Sequence, residues 1–303
     1  MKSWHVLIYG VVALLGFSIV TVYSTDTAVF SSSAGAHQGV SLQFIKHLLW
    51  VFLGSGLMVV MAKVDYHYLQ KLSIPILVVS LISLVLVLIP GVGTVTNGAR
   101  RWVRFGSLLG IQPSEFAKLA VIVFISGYIA KNQHRMSEFK RGFLLPLGIA
   151  AGASALIIKE PDFGTSALII SISVIMLIIG GIKIRYVFFT VLASLPLIYE
   201  IVFSSEYRLR RWLAFLNPWA DPSGAGYHII QSWIALGSGG LTGLGIGESK
   251  QKLFFLPESN SDFIFTIIGE EFGYFGVLAI IGLFILLIWQ GLKIVHATKD
   301  VFG

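Results

Sequence analysis

The sequence has no cysteine, so no disulfide, thiolate nucleophile or thiolate metal site is available to it. Charge is scarce too. Only 12% of the residues are Asp, Glu, Lys or Arg, against about 25% in soluble domains. Acids are the scarcer sign, 15 against 22 Lys and Arg, for a formal net charge of +7. A small-residue cleavage site is also missing after the first apolar run, Val6 to Tyr23. That run therefore reads as a first membrane helix and not as a cleaved signal peptide. What fills the chain is apolar: 55% of its 303 residues are hydrophobic and the mean hydropathy is +0.83. No soluble fold of this length hides so much apolar surface, so the bilayer is its solvent.

Apolar stretches of spanning length occur at 6–24, 47–63, 73–90, 114–130, 143–159, 165–182, 187–203 and 263–291. Each approaches the roughly 20 residues a helix needs to cross. Hydrocarbon does not tolerate unpaired backbone, and the alternation of barrel strands is missing. The expected fold is thus an all-α polytopic membrane protein with about eight transmembrane helices, residues 1–303 forming one transmembrane domain. A long structured extracytoplasmic loop, 204–262, precedes the last span. Its apolar pieces Trp212–Phe215 and Tyr227–Leu236 suit short helices on the membrane surface.

Short basic loops set the orientation. Lys131, Arg135, Lys140 and Arg141 share one connection, Lys183 and Arg185 another, and Lys63 and Lys71 a third. By the positive-inside bias these face the cytoplasm, with both ends of the chain. Eight of the other cations run against that bias. Arg100, Arg101, Arg104, Arg208, Arg210, Arg211, Lys250 and Lys252 fall in two outer loops. Solubility and headgroup contact explain such residues singly; as clusters they could receive an anion.

Several motifs carry polar chemistry. Gly98-Ala99-Arg100-Arg101-Trp102 offers guanidinium forks suited to phosphate and an indole suited to the interface. In Gln112-Pro113-Ser114-Glu115-Phe116-Ala117-Lys118, proline opens a helix and Glu115 and Lys118 share one face. A charge within a membrane helix costs about 2.5–3.5 kcal/mol on insertion scales. This pair therefore either ties helices together or lines a polar cavity. Glu160-Pro161-Asp162-Phe163-Gly164-Thr165 reads as a turn and helix cap, with Asp162 a candidate for loop organisation. The glycine run 237–247 is not a nucleotide loop, because no strand–helix unit surrounds it; flexible backbone near a groove is the better reading. Asp262 stands where a polar loop enters an apolar helix. Phe263, Ile264 and Phe265 are expected to desolvate it and make it a better base; a plain N-cap is the alternative. Glu270 and Glu271 follow and are expected to line the polar side of that helix.

Taken in order, these motifs resemble the shape, elongation, division and sporulation (SEDS) family of bacterial membrane proteins. The series continues through Asn217-Pro218, Asp221-Pro222, Gly226-Tyr227-His228, Gln231-Ser232 and Leu256-Pro257-Glu258 to Asp262-Phe263-Ile264-Phe265. The stretch Gln251 to Glu258 looks more like the division and sporulation branches than the elongation branch. The sequence departs from the family pattern at Asn260-Ser261, where His-Thr is common, and at Phe163, where leucine is common. Members have about ten helices and continue into a Pro-Phe-x-Ser-Tyr-Gly-Gly motif. Its absence before Gly303 leads to the expectation of a chain that lacks its C-terminal end.

The resemblance implies a peptidoglycan glycosyltransferase that polymerises lipid II, a disaccharide-pentapeptide on undecaprenyl pyrophosphate, at the outer face of the bacterial cytoplasmic membrane during cell division. It implies Asp262 as the catalytic residue. It also implies a substrate-binding set of Arg100, Arg101, Trp102, Glu115, Lys118, Arg210, Lys252 and Glu258. A class B penicillin-binding protein and other division proteins are the implied partners, with membrane lipid and without nucleic acid. No metal ligand is assigned; a divalent cation, magnesium or manganese, is compatible with the site but not demanded by it. Two other readings stay open: a lipid II flippase, and a non-catalytic scaffold of the division machinery.

Overall fold

The computed structural model describes residues 3–32, 41–96, 99–105, 109–203, 206–252 and 262–303. Among these, five helices are long and apolar enough to cross a membrane. They lie at Trp4–Asp26, Leu42–Lys63, Pro113–Arg135, Phe139–Lys159 and Ile264–Ala297. Three shorter apolar helices, Ser73–Leu88, Phe163–Ile179 and Ile184–Pro196, accompany them. The chain is a mostly helical, multi-pass membrane protein. It divides into two compact units, residues 1–59 with 196–297, and residues 60–195 with 298–303.

The second unit is built on α4 (Ser73–Leu88), α5 (Pro113–Asn132), α6 (Leu145–Lys159) and α7 (Phe163–Ile179). Small side chains let these helices approach, as lipid-embedded packing requires. Ala117, Ala120 and Ala153 are fully buried, beside Leu84, Ile125 and Ile157. Buried serines find partners within the bundle. Ser80 Oγ donates to the Leu77 carbonyl and Ser173 Oγ to the Ile169 carbonyl, while Ser154 Oγ reaches across to the Ser166 carbonyl. Pro113 starts α5 with its ring at the first turn, where no N–H is needed. Asp162 caps α7, accepting from Thr165 N at 3.1 Å. At the opposite end of this bundle, Tyr128 Oη donates to the Arg141 carbonyl and Ser126 Oγ to the Phe302 carbonyl.

One element departs from the all-helical expectation. Between α4 and α5 lies a three-stranded antiparallel sheet of β1 (Thr94–Thr96), β2 (Ala99–Phe105) and β3 (Leu109–Ile111). Trp102 pairs with Thr94 and Val103 with Ile111. The alternating segment Arg-Trp-Val-Arg is the strand pattern a search for 20-residue apolar runs passes over.

In the first unit, α1 (Ser3–Ser32) and α10 (Tyr227–Ser238) pack on α11 (Ile264–Ala297). α11 is broken at Gly273, whose φ of 66° and ψ of −165° no helix contains. Gly237–Gly247 fills the break. An unbroken helix would bond Tyr274 N to the Glu270 carbonyl and Phe275 N to the Glu271 carbonyl. Here Tyr274 N bonds Gly240 O at 2.9 Å and Phe275 N bonds Leu241 O at 3.2 Å. The two freed carbonyls accept from Leu244 N at 3.0 Å and Gly245 N at 3.1 Å. Two helical bonds are thus replaced by four to the glycine run. The contact demands glycine at 243, where φ is +85° and an added Cβ would strike the Glu271 carbonyl.

Within 204–262, α9 (Glu206–Leu216) and α10 take up the two apolar pieces picked out from the sequence. On α9, Trp212, Leu213, Phe215 and Leu216 are all exposed.

Candidate functional site

Asp262 occupies the turn that leads into α11 and is exposed. This differs from the expected desolvation, and its neighbours explain why. Phe263 stacks on the His228 ring, with centroids 5.6 Å apart. Ile264 and Phe265 instead line an apolar cavity of about 510 Å3 with Leu14, Phe17 and Ser18 of α1. The three apolar side chains serve packing and leave the carboxylate at the surface.

Below Asp262 lies a buried charge cluster. Glu270 and Glu271 are each 1% exposed and Lys252 2%. Lys252 Nζ donates to Glu271 Oε1 at 2.7 Å and to Ser24 Oγ at 3.0 Å. Ser24 Oγ donates in turn to Glu271 Oε1 at 2.6 Å. That same oxygen accepts Gly247 N at 3.2 Å. Glu270 accepts from Ser249 Oγ and from the backbone N–H groups of Lys250 and Gln251. The two glutamates do not line an open polar face. They clamp residues 247–252 onto α11, and Lys252, expected among the substrate cations, is enclosed in that clamp.

Arginines expected at the outer face also hold structure in the second unit. Arg100 Nη1 donates to the Leu88 carbonyl at 3.2 Å, tying β2 to the end of α4. Arg101 Nε donates to the Glu160 carbonyl at 2.9 Å and its Nη2 to the Pro161 carbonyl. A guanidinium has five N–H donors, so both arginines retain capacity for an anion. Trp102 is half-buried on the same strand. The Glu160 side chain is fully buried, and neither carboxyl oxygen has a hydrogen-bond partner. Burial, with the Asp162 charge adding to it and Arg101 opposing it, pushes the Glu160 carboxyl up to about 7. Nothing in the sequence marked Glu160 apart from its turn.

Glu115 and Lys118 pair across one helical turn at 2.8 Å, with side chains 58% and 22% exposed. The pair is solvent-accessible and not a buried structural bridge. Arg210 pairs with Glu206 on exposed α9 at 2.6 Å, which raises its pKa further. Glu258 lies outside the described residues. Among the described residues no group of three or more His, Asp or Glu side chains is arranged to hold a metal ion.

Comparison with known proteins shows what the chain as a whole is similar to. A family model for the FtsW/RodA/SpoVE cell cycle proteins matches residues 5–303. The probable peptidoglycan glycosyltransferase FtsW of Geobacter metallireducens is 38% identical over 299 residues, covering 98% of this chain and 78% of that one. Stage V sporulation protein E of Bacillus subtilis is 41% identical over 258 residues, 85% of this chain and 70% of that one. Among solved structures, a chain of a peptidoglycan synthase complex that coordinates polymerization and crosslinking superposes with a TM-score of 0.74 at 22% identity. It covers 98% of this chain and 79% of that one. The rod shape determining protein RodA of Thermus thermophilus gives 0.65 at 19% identity, covering 98% and 76%.

Proposed function

The chain belongs to the FtsW/RodA/SpoVE family of cell cycle proteins, and we propose that Asp262 is the base with which it polymerises lipid II. It is a peptidoglycan glycosyltransferase of the division and sporulation type. The observation that carries the assignment of Asp262 is its setting. An exposed carboxylate stands at the start of a membrane helix whose next turns are locked by buried charges.

Hydrolysis of a sugar ether uses two carboxylates, one of which protonates the leaving oxygen. A pyrophosphate needs no such acid once cations neutralise it, so one base and a cationic surface suffice. Asp262 takes the proton of the acceptor sugar hydroxyl as that oxygen attacks the anomeric carbon of the growing chain. The bond from that carbon to the pyrophosphate oxygen breaks, and the lipid pyrophosphate leaves with the electron pair. Inversion turns the donor's α-anomer into a β-linkage. Arg100, Arg101 and Arg210 stabilise the departing charge with their unspent donors. Glu115 and Lys118 are proposed to bind substrate polar groups, and Trp102 and Glu258 complete the proposed substrate-binding set.

The fuller topology belongs to this reading. The five long helices and three shorter ones make eight spans, with the basic connections and both chain ends in the cytoplasm and 204–262 outside. Lipid II and a class B penicillin-binding protein are the proposed partners. The test is polymerisation by purified Asp262→Asn with its partner present. Loss of polymer with normal folding supports the assignment, and wild-type activity sinks it.

One observation favours a second reading, transport of the lipid substrate. α11 is a broken helix with buried charges at its break, a feature of transporters. Lipid II crossing vesicle membranes, with no polymer formed, would favour that reading.

A further inference from the structure

We propose that Lys252, Glu271 and Ser24 form a positioning latch for Asp262, resting on the assignment of Asp262 as the base. Lys252 and Asp262 are both fastened to α11. Asp262 is fastened by chain continuity with the helix. Lys252 is fastened by its ammonium, which docks on Glu271 at 2.7 Å. Glu271 lies seven residues into α11, about 10 Å along the axis at 1.5 Å per residue. The latch therefore pins α11 to α1 and to the glycine run about 10 Å along the helix from the end that Asp262 leads into.

The chemistry suits a lock better than a substrate contact. Lys252 is 2% exposed, so its charge cannot reach a ligand at the surface. Glu271 accepts three bonds on one oxygen, from a side chain of α1, a side chain of the loop and a backbone N–H of the glycine run. Glu270 fastens the neighbouring residues through the backbone of Lys250 and Gln251. Burying such a pair yields little net stability, because desolvation offsets most of the attraction; fixing one arrangement is the better-attested return. The latch acts through Asp262 and touches no substrate, so its loss lowers turnover without weakening substrate binding.

The experiment uses the full chain with its partner in lipid vesicles, and reads kcat, KM for lipid II, and thermal unfolding. Lys252→Met/Glu271→Leu removes both charges together, so neither is left buried and unpaired, while Ser24 Oγ and Gly247 N lose the acceptor Glu271 Oε1. Its expected outcome is cooperative unfolding at a modestly lowered temperature, a fall in kcat of tenfold or more, and a KM within about twofold of wild type. A kcat within twofold of wild type overturns the latch. So does a raised KM at unchanged kcat, which would make Lys252 a substrate contact. If the double variant does not fold, Ser24→Ala and Lys252→Arg decide, with reduced kcat expected and unchanged kcat overturning. Asp262→Asn separates the two ideas. An inactive Asp262→Asn beside fully active latch variants refutes the latch alone, and an active Asp262→Asn refutes both.

Discussion

The backbone N–H of Tyr274 bonds the carbonyl of Gly240 at 2.9 Å, inside a stretch whose hydropathy describes one unbroken membrane helix. That bond, with its three companions, makes the glycine run a structural part of α11. The run supplies the backbone partners the broken helix lacks. It also brings Ser249 and Lys252 to the two glutamates. Break, glycines and buried charges are therefore one device.

The device predicts a sharp difference between glycines. Gly243→Ala meets the Glu271 carbonyl and a φ of +85°, and is expected to cost about 1–3 kcal/mol or more. Gly237→Ala, in α10 with open space around it, is expected to be neutral or to stabilise by up to about 1 kcal/mol. Thermal unfolding of both in detergent is the check; equal effects would refute the packing described.

Arg101 is expected to split its effects. Its fork holds the carbonyls of Glu160 and Pro161, and one ammonium cannot span both in the same plane. Arg101→Lys should lose about 1–2 kcal/mol of stability, even though its charge is kept. A lysine variant with full stability would show the fork to be dispensable. A raised KM for lipid II beyond the stability loss would add a role in holding pyrophosphate.

The five long helices were legible in the sequence because each is a long apolar run, and the Glu115–Lys118 pairing because it follows from helical spacing. Lys252 was not. Its partners are Glu271 and Ser24, and no local pattern joins an outer-loop lysine to a serine of the first helix. Proximity in sequence also misled at Asp262. Its three apolar neighbours pack on His228 and against α1, so adjacency did not mean desolvation. The glycines signalled close backbone approach, but not which helix was approached.

Asp162 is expected to behave as a cap first. It accepts from both Thr165 N and Thr165 Oγ1, at 3.1 and 2.9 Å. Asp162→Ala should lower stability by about 0.5–2 kcal/mol. Asp162→Asn, which keeps an acceptor, should lose less. Equal losses would show that its charge matters more than the cap, through its contact with Gln112.

Glu160 predicts a pH dependence with a definite sign. Its carboxyl is raised from 4.5 to about 7 by burial, so the folded chain holds the proton more tightly than the unfolded one. The stability linked to that proton is fully present below the unfolded value near 4.5 and is lost as pH rises through about 7. Above that, a bare carboxylate sits buried without a hydrogen-bond donor. Glu160→Gln has no proton to lose. It should match wild type near pH 5 and exceed it near pH 8, by an amount on the order of 1–3 kcal/mol. Unfolding of both proteins across this range is the measurement. Parallel curves, with no gap opening above neutrality, would show that Glu160 is ionised and solvated.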